Sequence, residues 1–235
     1  MTYFNHGTYS WTITTKSPNA QLWFDRGLAW VYGYNHEEAI VCFEQALKAD
    51  PACAMARWGI AYAIGPNYNR WWYTFSVEER VEILQRAHVE LQQAITHKHH
   101  ISPLEASLIE ALLERYPTDH STEDFALYTD AYADAMRRVY QANPDNLDIC
   151  TLFVEALMNR TPWQLWDLKS GDYASGASTE EILVVMNRAF EAQTEAQQTD
   201  ACAYKYTGTG AVVHRKVVSY RRSWQTCIGS ALGAT

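Results

Sequence analysis

Apolar residues recur at helical spacing through most of this chain, as in Val81, Leu84, Ala87, Leu91 and Ile95. Steps of three and four residues place such side chains on one face of a helix. Start and stop signals separate the periodic stretches. Ser17-Pro18 sets a capping residue before a proline at the first helical position, where the missing N–H is no loss. Ser76-x-x-Glu79, Ser102-x-x-Glu105 and Ser178-x-x-Glu181 are capping boxes, with Asn35-x-x-Glu38 and Ser121-x-x-Asp124 as looser versions. In such a box hydroxyl and carboxylate each satisfy a backbone N–H that the helix leaves over. Asp50-Pro51 and Asn143-Pro144 are stops, because proline disfavours helix in the residue before it. These signals predict helices near 18–33, 36–49, 52–65, 77–98, 103–115, 122–142, 146–159 and 179–192. No alternating pattern marks a strand, so the expected class is all-α.

Composition narrows the function more than the fold. Of 235 residues, 48% are apolar, enough to build a core and too many for a disordered chain. The formal net charge of −8 argues against nucleic acid as a partner, since phosphate contacts need clustered Lys and Arg. Cys42, Cys53, Cys150, Cys202 and Cys227 are odd in number and contain no Cys-x-x-Cys pair. That pattern reads as reduced thiols in a cytoplasmic protein rather than a disulfide frame or zinc site. No basic, apolar leader opens the chain, and no run is long enough to span a membrane. Asn159-Arg-Thr161 fits a glycosylation sequon, but without a leader it reads as a chance match.

Residues 20–53 carry the strongest motif. Trp23, Gly27, Trp30, Ala39, Phe43, Ala46 and Pro51 fall in order on the offsets of the 34-residue tetratricopeptide (TPR) signature. Small Gly27 and Ala39 suit a close approach of two antiparallel helices, and the aromatics fill the space around it. The segment therefore resembles a TPR repeat. The run Ala54 to Tyr62 resembles a first repeat helix with its large and small residues displaced by one, and Tyr132 to Pro144 resembles a second helix with its terminal proline. The resemblance implies an α-solenoid of about four antiparallel helix pairs over residues 18–192, preceded by an extended arm at 1–17.

Two loops exceed a TPR turn, 66–75 and 161–171, and long ordered loops often carry function. With Phe24-Asp-Arg-Gly-Leu, Tyr34-Asn-His-Glu-Glu-Ala and Cys53-Ala-Met-Ala-x-Trp-Gly, they make residues 1–192 similar to longer TPR proteins of bacteria and filamentous fungi. Some fungal members are encoded beside natural-product enzymes. Among nine Trp and fifteen Tyr, the candidate binding residues are Asn67, Asn69, Arg70, Trp71, Trp72, Trp163 and Trp166. Amphipathic aromatics beside amides and Arg suit a pocket or groove, and they equally suit the anchoring of a long loop.

Other motifs carry less. His97-Lys98-His99-His100 lacks the spaced partners of a metal site and reads as a cationic helix end opposing the macrodipole. His36-Glu37-Glu38 is not a zinc motif, and Gly208-x-Gly210 lacks the third glycine of a dinucleotide fingerprint. No metal, cofactor or catalytic residue is expected. Residues 193–235 lose helical periodicity and turn basic through Lys205, Arg215, Lys216, Arg221 and Arg222. They read either as a disordered basic tail or as the product of a shortened coding sequence.

The leading expectation is a non-catalytic repeat scaffold that binds a protein or peptide in its concave groove, with an accessory role in fungal secondary-metabolite biosynthesis implied by the resemblance. Phe24 and Leu28 stand where chaperone-binding TPR proteins place the Lys and Asn of a carboxylate clamp, so that subtype is not expected. An enzyme or accessory catalyst using a pocket near 66–75 is the alternative, and a shortened chain without function is another. If residues 193–235 form no cap, Leu183, Val184, Met186 and Phe190 should lie partly exposed or be covered by a partner, and the isolated protein should self-associate.

Overall fold

The computed structural model describes residue 4, residue 7, and residues 9–118 and 124–199. Its elements are α1 (Pro18–Tyr32), α2 (His36–Ala49), α3 (Ala54–Ile64), a single 3-10 turn (Trp72–Thr74), α4 (Val77–Ile95), α5 (Pro103–Leu113), α6 (Phe125–Ala142), α7 (Leu147–Met158) and α8 (Thr179–Thr199). Among the described residues there is no strand, only the isolated bridges Asn67–Arg70 and Trp166–Tyr173. The protein is all-α. Each helix packs on the next, and α1 also packs on α3, and α3 on α5.

The local signals act largely as the sequence predicts. Ser17 accepts from the Ala20 N–H, Asn35 from Glu38, and Asn146 from Asp148 and Ile149. Both halves of the boxes at Ser76/Glu79 and Ser102/Glu105 are formed. The third box is diverted. Ser178 Oγ accepts from Arg160 at 2.7 Å, and the Glu181 carboxylate takes Arg137 at 2.7 and 2.9 Å. A two-pronged guanidinium bond is stronger than a backbone amide, so tertiary contact wins. At α6, Asp124 holds the N-cap position, and Ser121 lies outside the described residues.

The first three helices pack around Phe43, which is fully buried. A Cβ built on Gly27 of α1 would lie 2.5 Å from its ring, and one on Gly59 of α3 would lie 2.7 Å from it. Phe43 of α2 therefore sits between two bare backbones. Gly27 and Ala39 were expected to mark the closest contact of the first pair. Ala39 is fully buried, but the ring of Phe43 is what Gly27 meets. Of the other signature positions, Ala46 is fully buried, whereas Trp23 and Trp30 are half-buried against the core. Phe24 and Leu28 are fully buried, so neither side chain faces a ligand.

At the other end, α8 runs to Thr199, seven residues past the predicted stop at 192, so the tail does not turn irregular at 193. The expectations for residues 200–235 lie outside the described residues. Met186 was expected to be partly exposed or covered by a partner and is 5% exposed, because it faces the core with Ile182 and Val185. Leu183 and Phe190 are half-buried, and Val184 is exposed. The α8 helix thus packs on α7, buries its Ile182–Val185–Met186 side and leaves Val184 outside.

Gly27→Ala and Gly59→Ala should each cost about 1–3 kcal/mol, because the added methyl overpacks against Phe43. Chemical denaturation checks this. Phe43→Leu in either background should recover part of the loss, whereas a loss unchanged by it would rule out Phe43 as the cause.

Candidate functional site

The two long loops meet at the end of the molecule where α3, α5 and α7 finish. Tyr68 of the first lies against Trp163 of the second with ring centroids 5.2 Å apart. Both loops line a cavity of about 430 Å³ that includes Asn67, Trp71 and Trp72. A more open cleft of about 550 Å³ lies beside it between the α1–α2 turn and loop 66–75, and takes in Asn67, Asn69 and Arg70. The predicted residues are therefore neighbours divided between two hollows, with Asn67 shared.

Several of them serve the loop itself. Asn67 Oδ1 accepts from the amides of Asn69 (2.9 Å) and Arg70 (3.1 Å), and the Asn67 and Arg70 backbones exchange bonds of 2.9 and 3.0 Å. This is an Asx turn. Arg70 covers the Phe75 ring at 4.0 Å and donates to Glu79 at 2.6 Å. The Trp71 carbonyl accepts from Thr74, and Trp72 is buried and stacked on Phe125 at 4.5 Å. Trp166 is half-buried against Tyr173 at 5.0 Å. Trp163 is 64% exposed and has φ 62°, a conformation that bulky residues seldom adopt. Residues 97–100 form a turn beyond α4 in which His97 is half-buried and the other three are exposed, and Lys98 lies 3.9 Å from Glu110. Among the described residues no group of three His, Cys, Asp or Glu side chains is placed to hold a metal ion.

A second site has no precedent in the motif reading. Residues 9–14 are extended and lie across the odd-numbered helices. Tyr9 and Ile13 are buried and Trp11 half-buried, while Ser10, Thr12 and Thr14 are exposed. This is the period-two alternation of an extended chain on a surface. Side chains capture its backbone. The Trp11 N–H donates to Asp25 Oδ1 at 3.1 Å. Gln21 of α1 accepts from the Ile13 N–H at 3.0 Å and donates to the Trp11 carbonyl at 2.9 Å. Glu105 of α5 accepts from the Thr14 N–H at 2.7 Å and from its hydroxyl at 2.5 Å. Trp11 meets Trp58 of α3 edge-on at 6.4 Å. Tyr9 donates to Asp148 of α7 at 2.6 Å, and Tyr32 shares the same oxygen at 3.1 Å. Four helices thus hold six residues.

The electrostatics follow from this burial. Desolvation first, then the Asp148 charge, raise the Tyr9 phenol above its ordinary value. Desolvation also raises the Asp25 carboxyl, opposed in part by hydrogen bonds from Ser10, Trp11 and Gln21. The odd-helix face therefore supplies carboxylates as acceptors for backbone N–H groups and neutral hydroxyls. Alternation over residues 9–13 was the one available sequence signal, and it is too short to separate a strapped arm from a loop.

No protein-family model matches the chain, and no curated protein matches it either.

Because the folded Asp25 carboxyl is raised, the folded protein binds its proton at higher pH than the unfolded chain does. Ionised Asp25 thus opposes folding at neutral pH, and its penalty is relieved as pH falls through the folded value. Asp25→Asn keeps an acceptor for the Trp11 N–H and should melt at or above the wild-type temperature at neutral pH. The difference should shrink as pH falls towards 3.8, the ordinary value. A difference independent of pH would exclude this cause.

Proposed function

We propose that this chain is a non-catalytic TPR-type repeat protein, a scaffold that mediates protein–protein interaction by holding an extended segment on its odd-numbered helices. The observation that supports it is the capture of residues 9–14 by Gln21, Asp25, Glu105 and Asp148. A face that binds extended backbone in its own chain has the chemistry to bind a similar segment from a partner. Stacked helix pairs of a solenoid present such a face, and Phe43 locked between Gly27 and Gly59 is the packing expected of neighbouring repeats. The partner segment would alternate large apolar and small hydroxyl residues, as Tyr9 to Thr14 does. It would enter by displacing the arm. The same proposal places the protein in the cytoplasm as an accessory to a fungal biosynthetic pathway, on the strength of the family resemblance and of Cys42, Cys53 and Cys150 as free buried thiols.

The test is binding in trans. A chain lacking residues 1–16 should bind a fluorescein-labelled synthetic peptide of residues 7–17 with micromolar affinity, about −8 kcal/mol. Fluorescence anisotropy reads the affinity, and the peptide should also raise the melting temperature of the shortened chain. Glu105→Ala should weaken binding about tenfold, by removal of two charge-assisted bonds. Neither binding nor stabilisation by the peptide, or equal affinity for a scrambled one, would overturn the proposal.

A further inference from the structure

The hydroxyls of the arm meet carboxylates at four places. Tyr9 donates to Asp148 at 2.6 Å, Ser10 to Asp25, Thr14 to Glu105 at 2.5 Å and Thr15 to Asp50 at 2.5 Å. These acceptors come from α7, α1, α5 and the end of α2. Ion pairs among the described residues use other carboxylates, such as Glu44, Glu79 and Glu90, and none takes Asp25, Asp50 or Glu105. An ionised carboxylate only accepts hydrogen bonds, so each of these positions calls for a donor. A Ser or Thr hydroxyl supplies one on a short stem, whereas the donors of Lys and Arg lie several bonds farther out.

Thr14 is where this chemistry is both accessible and exacting. The residue is exposed, yet its N–H and hydroxyl both go to Glu105, which is 5% exposed. A phosphate on that oxygen removes the donated proton and sets a charge of about −1.5 to −2 beside the carboxylate. Water screens the repulsion poorly at such depth. The start of α5 offers no compensating anion site. Glu105 already fills it by accepting from the Ser102 N–H at 2.8 Å, Ser102 Oγ takes the Glu105 N–H, and Pro103 has none to give. Lys16, two residues on, is exposed, and an exposed ion pair contributes little. Thr12 differs, being exposed with no hydrogen-bond partner for its hydroxyl among the described residues.

We propose that the odd-helix face reads the phosphorylation state of the segment it holds, taking a free hydroxyl at the Thr14 position and rejecting a phosphorylated one. Thr14 is thereby a modification site whose phosphate releases the protein's own arm. The donor is a nucleoside triphosphate: its terminal phosphoryl group passes to Thr14 Oγ1, which loses its proton, and the diphosphate leaves. This selectivity rests on the proposed role of the face as a binder of extended segments.

The experiment compares the unmodified full chain with full chains carrying phosphate on Thr14 or on Thr12. Hydrogen exchange at the Trp11, Ile13 and Thr14 amides reads the seating of the arm, since a side chain holds each of them. Phosphate on Thr14 should lower their protection about a hundredfold, and phosphate on Thr12 less than about threefold, while the α4 amides stay protected in both. Should the Thr14-phosphorylated chain lose its helices, Thr14→Glu carries the same expectation at about tenfold. Glu105→Gln keeps a capping-box residue and supplies an amide donor. In the Thr14-phosphorylated chain it should restore arm protection about tenfold. Labelled peptide of residues 7–17 should bind the chain whose arm is released, and the same peptide phosphorylated at Thr14 should bind about a hundredfold more weakly. Arm release with no peptide binding would leave the phosphate switch standing and remove the partner-binding role. Equal protection with phosphate on Thr14 and on Thr12, or no recovery with Glu105→Gln, would overturn the proposal.

Discussion

Phe43 lies between α1 and α3 only because Gly27 and Gly59 carry no side chain there. That constraint sets the spacing of the first three helices, since a larger residue at either glycine would have to push a backbone away. With α1 and α3 held side by side, Gln21, Asp25 and Trp58 share one face. The same spacing brings α5 against α3, and with it Glu105. The receiving surface for residues 9–14 thus follows from a packing contact on a different helix, α2.

The arm adds to this framework more than its length suggests. Residues 9–14 touch α1, α3, α5 and α7, which no single inter-helix contact does. An extended segment can do this because its N–H and C=O groups point sideways and need partners. Here side chains rather than a neighbouring strand supply them. Glu105 shows the economy of the arrangement. One carboxylate closes the capping box with the Ser102 N–H at 2.8 Å and also holds both polar groups of Thr14.

The two long loops follow a different logic. Their aromatic residues anchor them: Trp72 is inserted beside Phe125 and Tyr116, and Tyr68 bridges to Trp163. Residues that pin the loops also line the cavity, together with Arg115 and Tyr132. The sequence singled out Asn67, Arg70 and the Trp residues, which are in or beside this region. It passed over Arg115 and Tyr132, since each sits in or next to an ordinary helical pattern and only the fold turns it inward.

Helix positions were legible because their causes are local. A cap bonds to an amide three residues away, a proline acts on its neighbour, and apolar spacing reports one face of one helix. Ser102 with Glu105 and Asn35 with Glu38 could be read from short range. Ser178 and Glu181 could not, because Arg160 and Arg137 reach them from elsewhere in the chain. The burial of Met186, on a helix packed against α7, was likewise decided by tertiary contact. Tertiary structure alone placed Tyr9 on Asp148, 139 residues away, and brought the two long loops together at Tyr68 and Trp163. Such contacts depend on which helices become neighbours, and spacing along one helix carries no information about that.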